Sequence, residues 1–329
     1  MTLLSHLVGR LRFRQLSLLV ALGEHRNLHR AAQAVHLAQP SATKLVHELE
    51  QLFAVPLFER LPRGMQPTEL GLEVLAYAKR TLVGLERFAE DLESKRKGGY
   101  GQLMVGAIMG AAPDVVARAI ADMKKERPLL AIRLMGETSD EIVNLLLEGK
   151  IDLAVGRFSD PLQHNVIDYE VLGNEILYIV ARAGHSLSRI RKLELPMLSE
   201  VPWILQPLAS PARQIIEQEF GQADMKTPSN IVECTSIFAT LQLLQKSDAV
   251  TMLPESVVRD HLAAGLLARL KLKVGKSLPG FGILTKRAEP LSTAAAEFIS
   301  SLRRYGALLG QEQAHRTEKR SKERSSPGG

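Results

Sequence analysis

The chain has 329 residues, of which 45% are hydrophobic and 24% charged, a composition typical of a globular protein of about two domains. Its longest uncharged apolar stretches run to about a dozen residues, whereas a helix that spans a bilayer needs about 20, so no membrane segment is predicted. The single cysteine, Cys234, excludes an internal disulfide and a cysteine-based metal cluster, and we expect a protein of the reducing cytoplasm.

The excess of positive charge is confined to the two ends of the chain. Residues 1–97 carry 14 lysines and arginines against 10 acids, residues 98–310 carry 23 of each, and residues 311–329 carry five against three. A small basic module before a larger neutral one indicates that the first binds an anionic polymer and that the second has another role. An excess of this size also arises by chance, so the residue pattern has to decide.

Three apolar stripes with helical spacing follow one another near the amino-terminal end. They are formed by Leu16, Leu19, Val20 and Leu22, then by Leu28, Ala31, Ala32 and Val35, and then by Leu45, Leu49 and Leu52. Asn27 is a good N-cap for the second helix, and Pro40 lies in the first turn of the third, as helix starts prefer. The outward face of the third helix carries side chains that can all donate a hydrogen bond: Gln39, Ser41, Thr43, Lys44 and His47.

The second and third of these helices are predicted to form a helix-turn-helix, because the connection is short and the second helix is rich in alanine. In that motif the second helix enters the major groove of DNA, where base edges present acceptors and donors. In the run 58–68 that follows, Pro62 and Gly64 mark a hairpin tip beside Arg60 and Arg63, which predicts a wing that contacts phosphate or the minor groove. Each residue alone also fits a solvated helix face, but the order is specific.

Five short runs in this region add a more specific signal. They are Arg30-Ala31-Ala32, Gln39-Pro40-Ser41, Leu49-Glu50, Pro56-Leu57-Phe58-Glu59-Arg60 and Pro67-Thr68. In this order they resemble the DNA-binding head of LysR-type transcriptional regulators. The resemblance implies a winged helix-turn-helix in residues 1–68 whose contacts with double-stranded DNA are made by Gln39, Pro40, Ser41, Thr43, Lys44 and Arg63. The family often has Ser-Arg where this chain has Thr43-Lys44, and lysine donates as a point charge, so we expect looser base choice there.

Residues 69–97 are predicted to form one long helix that Thr68 caps and no proline interrupts. Its apolar residues are separated by three and four residues in alternation: Leu75, Ala78, Leu82, Leu85, Ala89 and Leu92. This heptad spacing favours pairing with a second copy of the chain, although packing on the helix's own domain is the alternative. The resemblance also implies homodimers, and dimers of dimers that form a homotetramer.

Residues 98–310 alternate between strand-like and helix-like segments, which predicts an α/β fold with mainly parallel sheets. The strand candidates are residues 103–108, 131–136, 151–157, 175–181, 202–206, 230–233, 249–253 and 281–285. The helix candidates are residues 113–127, 139–148, 211–221, 236–245, 256–264 and 292–309. Connections near residues 171–174 and 274–279 suggest lobe I (98–173 plus 279–310) and lobe II (174–278). This arrangement resembles the effector-binding domain of the same family, which is built like a periplasmic binding protein. The charged tail 311–329 is predicted to be disordered.

Open α/β sheets bind ligands beyond the carboxyl ends of their strands and at helix N-termini. The candidate effector-binding residues at such positions are Met109, Gly110, Thr138, Ser139, Arg157, Gln206, Ser210, Arg213, Thr235 and Ser236. Hydroxyl groups at helix starts together with two arginines favour an anionic or polyhydroxylated small molecule. Serine and threonine are also ordinary helix caps, so each position has a structural alternative.

Motifs for catalysis are incomplete in this sequence. Gly275-Lys276-Ser277 is similar to the end of a phosphate-binding loop, but Leu270 occupies the position of its leading glycine. His47-Glu48 lacks the second histidine of a zinc protease, because Gln51 stands there. Cys234 is a candidate redox sensor, with plain packing as the more ordinary role. We therefore predict no catalytic residue, no cofactor and no metal site.

Three functions remain after this reading of the sequence. The first is a transcription regulator that binds promoter or operator DNA and responds to a small-molecule effector in the cleft between the lobes. The second is a two-lobed α/β enzyme with a DNA-binding head, and the third is a ligand-independent structural DNA binder. The first predicts self-association, no membrane and, as a further candidate partner, RNA polymerase.

Overall fold

A computed structural model describes residues 3–62, 64–96, 101–136, 138–157, 165–208, 210–272, 278, 280–287 and 289–325, with the side chains of residues 3 and 312–325 excepted. The chain divides into two compact units. The first is Met1–Gln102 with Leu147–Lys150, and the second is Leu103–Leu146 with Ile151–Gly329. Among the described helices, none combines the length and the apolar character that a membrane crossing requires.

The first unit contains a winged helix-turn-helix followed by one long helix. Its elements are α1 (Leu3–Arg10), α2 (Phe13–His25), α3 (Leu28–Ala34), α4 (Gln39–Phe53), β1 (Phe58–Leu61), β2 (Gly64–Pro67) and α5 (Glu69–Arg96). The predicted cap of α3 is confirmed, because the Asn27 side chain accepts a hydrogen bond from the Arg30 backbone N–H at 3.1 Å. The helix α1 was not predicted from the sequence.

The core of this unit is aliphatic and joins α2, α3, α4 and α5. Its fully buried side chains include Leu18, Leu19, Leu22, Ala31, Ala42, Leu49, Leu57 and Ala78. The alanines at positions 31 and 42 let the backbones of α3 and α4 approach closely. Leu75 and Ala78, two of the six residues in the predicted heptad seam, belong to this core, so the beginning of α5 packs on its own domain.

The first lobe of the second unit is a five-stranded sheet in the order β4-β3-β5-β12-β6. Its strands are β3 (Gln102–Ala107), β4 (Ala131–Gly136), β5 (Leu153–Gly156), β6 (Ile167–Gly173) and β12 (Phe281–Lys286). The helical elements of this lobe are a π-helical turn (Ala112–Val116), α6 (Ala117–Glu126), α7 (Ser139–Leu147) and α11 (Thr293–Ser325). Strands β3 and β5 are parallel, whereas β12, which enters this sheet after the chain has passed through the second lobe, runs antiparallel to β5 and β6.

The second lobe is a five-stranded sheet in the order β11-β7-β10-β8-β9. Its strands are β7 (Leu177–Arg182), β8 (Trp203–Leu205), β9 (Ile231–Glu233), β10 (Val250–Pro254) and β11 (Leu267–Arg269). Its helices are α8 (Pro211–Gln222), α9 (Ile237–Lys246) and α10 (Glu255–Ala263), with short 3₁₀ turns at Ser186–Arg189 and Leu195–Leu198. In its core the rings of Trp203 and Phe220 meet edge to face with centroids 6.1 Å apart.

The structure corrects two details of the predicted elements. Both sheets are mixed rather than mainly parallel, since β12, β7 and β11 run against their neighbours. The strands β6 and β11 are absent from the predicted elements: the end of the edge strand β6 falls in the predicted connection near residues 171–174, and β11 has only three residues. Helix α11 extends to Ser325 and so includes residues 311–325 of the tail, whose disorder stays a prediction.

Candidate DNA and effector sites

One face of α4 is polar and open to solvent. The predicted DNA contacts Gln39, Pro40, Ser41, Thr43 and Lys44 are all exposed on it. The opposite face is buried in the core through Ala42, Val46 and Leu49, so the helix cannot turn these polar groups inward. The Lys44 side chain is 80% exposed and its ammonium lies 3.9 Å from the Glu48 carboxylate, a distance that leaves it available to a ligand.

A chain of polar side chains ties the start of α4 to α3. The Nδ1 atom of His29 lies 3.3 Å from Oε1 of Gln39, and its Nε2 atom lies 3.0 Å from Nε2 of Gln33. The Thr43 hydroxyl donates to the Gln39 backbone carbonyl at 3.0 Å. The sequence did not indicate His29 or Gln33, because both are exposed polar residues on a helix that was expected only to support α4.

The predicted wing is a short antiparallel hairpin in which Leu61 pairs with Gly64. The Glu50 carboxylate on α4 holds the start of its first strand, since Oε1 accepts from the backbone N–H groups of Leu57 at 2.9 Å and Phe58 at 3.3 Å. Arg63, the predicted contact at the tip, lies outside the described residues. The wing is therefore fixed directly to the helix that carries the other predicted DNA contacts.

The second wing strand is fixed to the turn after α2. The Met65 N–H donates to the Arg26 carbonyl at 2.8 Å. Gly64 has a φ of 131° and lies so close to this carbonyl that a Cβ atom would be 2.4 Å from its oxygen. Only glycine fits both the conformation and the approach.

A buried ion pair lies near the predicted effector residues of the second unit. Arg157, which follows β5, places Nη2 2.5 Å from Oε2 of Glu175, and these side chains are 9% and 6% exposed. Glu175 follows the crossover from the first lobe into the second. Its Oε1 atom rests against Gly110, where a Cβ would be only 1.4 Å away. Gly110 thus makes room for the carboxylate.

The charge state of Glu175 is set by opposing effects. Burial raises the pKa of its carboxyl above the ordinary value of 4.5, whereas the charge and hydrogen bond of Arg157 act to lower it. Its Oε1 atom is buried and has no hydrogen-bond partner among the described residues. A ligand with a hydrogen-bond donor would satisfy this oxygen.

Further polar contacts join the first lobe to the second. Gln206 donates from Nε2 to the Met109 sulfur at 3.5 Å, and the Ser256 hydroxyl donates to the Gly110 carbonyl at 2.8 Å. Arg259 on α10 lies 2.8 Å from the Asp114 carboxylate. Glu255 and Asp114 together raise the pKa of the Arg259 guanidinium, so this cation remains charged in the contact.

Five of the ten predicted effector residues are linked by these contacts. The Ser210 hydroxyl donates to Gln206 at 2.6 Å, which extends the contact between Gln206 and Met109 to the start of α8. Met109, Gln206 and Ser210 are thus three of the five. Gly110 and Arg157 are the other two, and both contact Glu175. Met109 and Gly110 are neighbours in the chain, so the five residues surround one region between the lobes.

The other predicted effector residues have local partners or open positions. Thr138 forms a reciprocal cap with Glu141 at the start of α7, and the Ser236 hydroxyl accepts from the Ala239 N–H at the start of α9. Arg213 donates to Glu217 at 2.5 Å along α8, and its buried Nη1 atom has no hydrogen-bond partner among the described residues. Ser139 is half-buried and Thr235 exposed.

Sequence reasoning missed Glu175, Ser256, Asp114 and Arg259. A signal was present for Glu175, because a single acid opens the otherwise apolar run 175–181 directly after Gly173-Asn174. No local pattern marks the contacts of the other three with the opposite lobe, since the residues that they join are distant in the chain. Within the described part of the chain, no group of three or more histidine, cysteine, aspartate and glutamate side chains could hold a metal ion.

Comparison with known proteins covers both units. The family model of the LysR substrate binding domain matches residues 96–307, and that of the bacterial regulatory helix-turn-helix protein, lysR family, matches residues 13–72. The HTH-type transcriptional regulator GbpR of Azospirillum brasilense is 34% identical over 298 residues, which cover 90% of this chain and 87% of that protein. The uncharacterized HTH-type transcriptional regulator YdcI of Escherichia coli is 29% identical over 295 residues, 90% of this chain and 96% of that protein.

A solved structure agrees with the fold. The crystal structure of CbnR, a LysR family transcriptional regulator, superposes with a TM-score of 0.60 at 24% identity, and the match covers 90% of this chain and 99% of that one. The architecture and both family models confirm the resemblance that the sequence motifs carry. The chain belongs to the LysR-type family of transcriptional regulators, with a helix-turn-helix DNA-binding domain followed by an effector-binding domain.

Proposed function

We propose that this regulator reads a promoter or operator sequence with the exposed face of α4 in the major groove. Gln39, Pro40, Ser41, Thr43 and Lys44 make the base and phosphate contacts, and Arg63 at the wing tip contacts the DNA backbone. The proposal is supported by the exposure of the five described residues on a helix whose other face is buried. The excess of basic residues in the same part of the chain supports it as well.

The DNA-bound form is a homodimer joined through α5, and two dimers associate into a homotetramer. Beyond the part of α5 that is buried in the head, Leu85, Phe88 and Leu92 are 40%, 63% and 48% exposed. They lie three and four residues apart and therefore on one face of the helix. An exposed apolar face of this kind favours pairing with a second copy, which presents two recognition helices to two half-sites.

The effector is a neutral polyhydroxylated small molecule that binds between the two lobes. Both arginines that the sequence offered for an anion already have carboxylate partners, Arg157 with Glu175 and Arg213 with Glu217. The buried Oε1 atom of Glu175 accepts a hydroxyl donor, whereas it would repel an anion. Amide and hydroxyl groups of Gln206 and Ser210 add further donors and acceptors.

Regulation follows from a change in the contacts between the lobes. An effector that binds one arrangement of the lobes better than another shifts their equilibrium and the spacing of the paired heads on DNA. The contacts of Gln206 with Met109 and of Arg259 with Asp114 are those that such a shift would change. The regulator then presents a different surface to RNA polymerase at the promoter.

The observation that carries this proposal is the polar, exposed face of α4 in a chain of this family. Selection of bound sequences from a library of random DNA duplexes tests the proposal. We expect the full-length protein to enrich an inverted repeat and to bind it more tightly than a scrambled duplex at fixed salt. Equal affinity for enriched and scrambled duplexes, measured by fluorescence anisotropy, would contradict sequence-specific binding.

A thermal-shift screen tests the effector class. The probes are free sugars and polyols, their carboxylic acid derivatives, and aromatic acids. We expect neutral polyhydroxylated compounds to raise the melting temperature of the full-length protein and to change its DNA footprint. Ser210→Ala should weaken this response, whereas Ser199→Ala, which removes the hydroxyl of a half-buried turn residue, should not. Stabilisation by acids alone would support the anionic alternative instead.

A further inference from the structure

The side chain of His29 lies between the amide groups of Gln33 and Gln39. Its Nε2 atom is 3.0 Å from the amide nitrogen of Gln33, and its Nδ1 atom is 3.3 Å from the amide oxygen of Gln39. All three side chains are exposed and none contributes to the core of the head. The contact therefore orients a side chain and does not hold the fold together.

The partners of His29 determine where its proton lies. The amide nitrogen of Gln33 can only donate, so the Nε2 atom of His29 accepts and carries no hydrogen. The proton is then on Nδ1, which donates to the Gln39 amide oxygen.

This contact sets the orientation of the Gln39 amide. Its oxygen accepts from His29 through one of its two lone pairs and therefore faces α3, and its nitrogen, which carries two donors, makes no hydrogen bond among the described residues. A glutamine that reads adenine uses both halves, because the adenine edge presents one donor and one acceptor. The guanine edge presents two acceptors, O6 and N7, and requires donors alone.

We propose that His29 is a specificity-determining residue: by holding the Gln39 oxygen toward α3, it presents the Gln39 amide nitrogen to the bases and shifts the base preference of Gln39 from adenine to guanine. His29 acts through Gln39 as a positioning residue. This inference rests on the proposed function, since it requires that Gln39 reach a base edge in the major groove.

The experiment uses the full-length protein and the duplex that library selection enriches. Gln39→Ala first locates the base pair that Gln39 reads, as the position where this variant loses its base preference. Dissociation constants are then measured for duplexes with guanine or adenine at that position. We expect the original chain to favour guanine by at least about fivefold, the lower end of the discrimination that one bidentate contact gives.

Three variants decide the outcome. His29→Ala should reduce the preference for guanine to less than about twofold by improving the affinity for adenine, with affinity for scrambled DNA unchanged. His29→Gln, whose amide can accept from Gln33 and donate to Gln39, should retain the preference. His25→Ala removes an exposed imidazole from α2 and serves as the matched control. An unchanged preference in His29→Ala would overturn the inference.

The same data separate this inference from the function on which it rests. If Gln39→Ala alters base preference and His29→Ala does not, the inference is wrong and the proposed DNA contact stands. If Gln39→Ala changes the preference at no position, the contact of Gln39 with a base is wrong and the inference falls with it.

Discussion

Burial raises the pKa of Glu175 above 4.5, while Arg157 acts against this shift. A raised pKa means that the folded state binds the proton more tightly than the unfolded state does. The contribution of Glu175 to stability is therefore fully present below pH 4.5 and is lost as the pH rises through the folded value. Stability at neutral pH includes the cost of keeping this carboxylate charged beneath the protein surface.

We predict that the difference in unfolding free energy between the original chain and Glu175→Gln falls as the pH rises from 4.5 toward neutrality. The other carboxylates titrate in both proteins and cancel in the difference. Urea denaturation at a series of pH values measures it. A difference that is constant over this range would show that Glu175 has the same pKa in the folded and unfolded states.

Lys44 has a largely exposed ammonium group on the proposed reading face of α4. We predict that Lys44→Ala reduces the preference for operator over scrambled DNA by about 1–3 kcal/mol, because one base contact is lost. Fluorescence anisotropy with both duplexes at fixed salt measures this preference. Lys79→Ala removes an exposed lysine from α5 and is the control. If Lys44→Ala weakens binding to both duplexes equally, Lys44 contacts phosphate.

At the scale of elements, Glu50 couples the wing to the recognition helix. Its carboxylate oxygen accepts two backbone N–H groups at the start of β1, and hydrogen bonds to a charged acceptor are stronger than neutral ones. The opposite strand has a separate attachment through the Met65 N–H and the Arg26 carbonyl. The main chain of the hairpin is thus hydrogen-bonded on both strands, to the Glu50 side chain on one and to the Arg26 carbonyl on the other.

We predict that Glu50→Ala lowers the unfolding free energy by about 2 kcal/mol, because two buried backbone donors lose their acceptor. Chemical denaturation measures the loss. Glu48→Ala removes an acid whose ion pair with Lys44 is long and exposed, and it should change stability by less than about 0.5 kcal/mol. Equal losses in the two variants would mean that the Glu50 contact contributes no stability of its own.

At the scale of the whole molecule, self-association through α5 is expected to depend on its exposed half. We predict that Leu85→Glu with Leu92→Glu converts the protein into monomers, because charges would replace apolar contacts on the paired faces. Analytical ultracentrifugation gives the mass. Ala76→Glu lies nine residues before Leu85, on the opposite side of the helix, and should leave the assembly intact. Dimers in the double variant would contradict pairing through this face.

The organisation of the head was predictable from the sequence because its signals are local. Asn27 caps α3 within three residues, and the apolar stripes of α2, α3 and α4 recur at helical spacing. The heptad spacing of α5 was ambiguous for a physical reason. Leu75 and Ala78 satisfy it, yet they pack in the head, and the spacing alone does not say which apolar surface a helix will meet.

The region between the lobes was predictable only in part. Strand ends and helix starts located Met109, Gly110 and Gln206, because ligands gather at such positions in α/β folds. The partners of Arg157 and Gly110 could not be found in this way. Glu175 is 18 residues from Arg157 in the chain and Ser256 is 146 residues from Gly110, so tertiary folding alone joins them.

The burial of Leu75 and Ala78 has a mechanical consequence for the head. These residues lie in the first three turns of α5, and their side chains interlock with α2 and its neighbours. Because packed interiors resist deformation, we expect the helix-turn-helix and the first turns of α5 to keep a fixed orientation relative to each other. A displacement of the Arg96 end of α5 is therefore expected to move α4, with Gln39-Pro40-Ser41 at its start, because both helices belong to the same packed core.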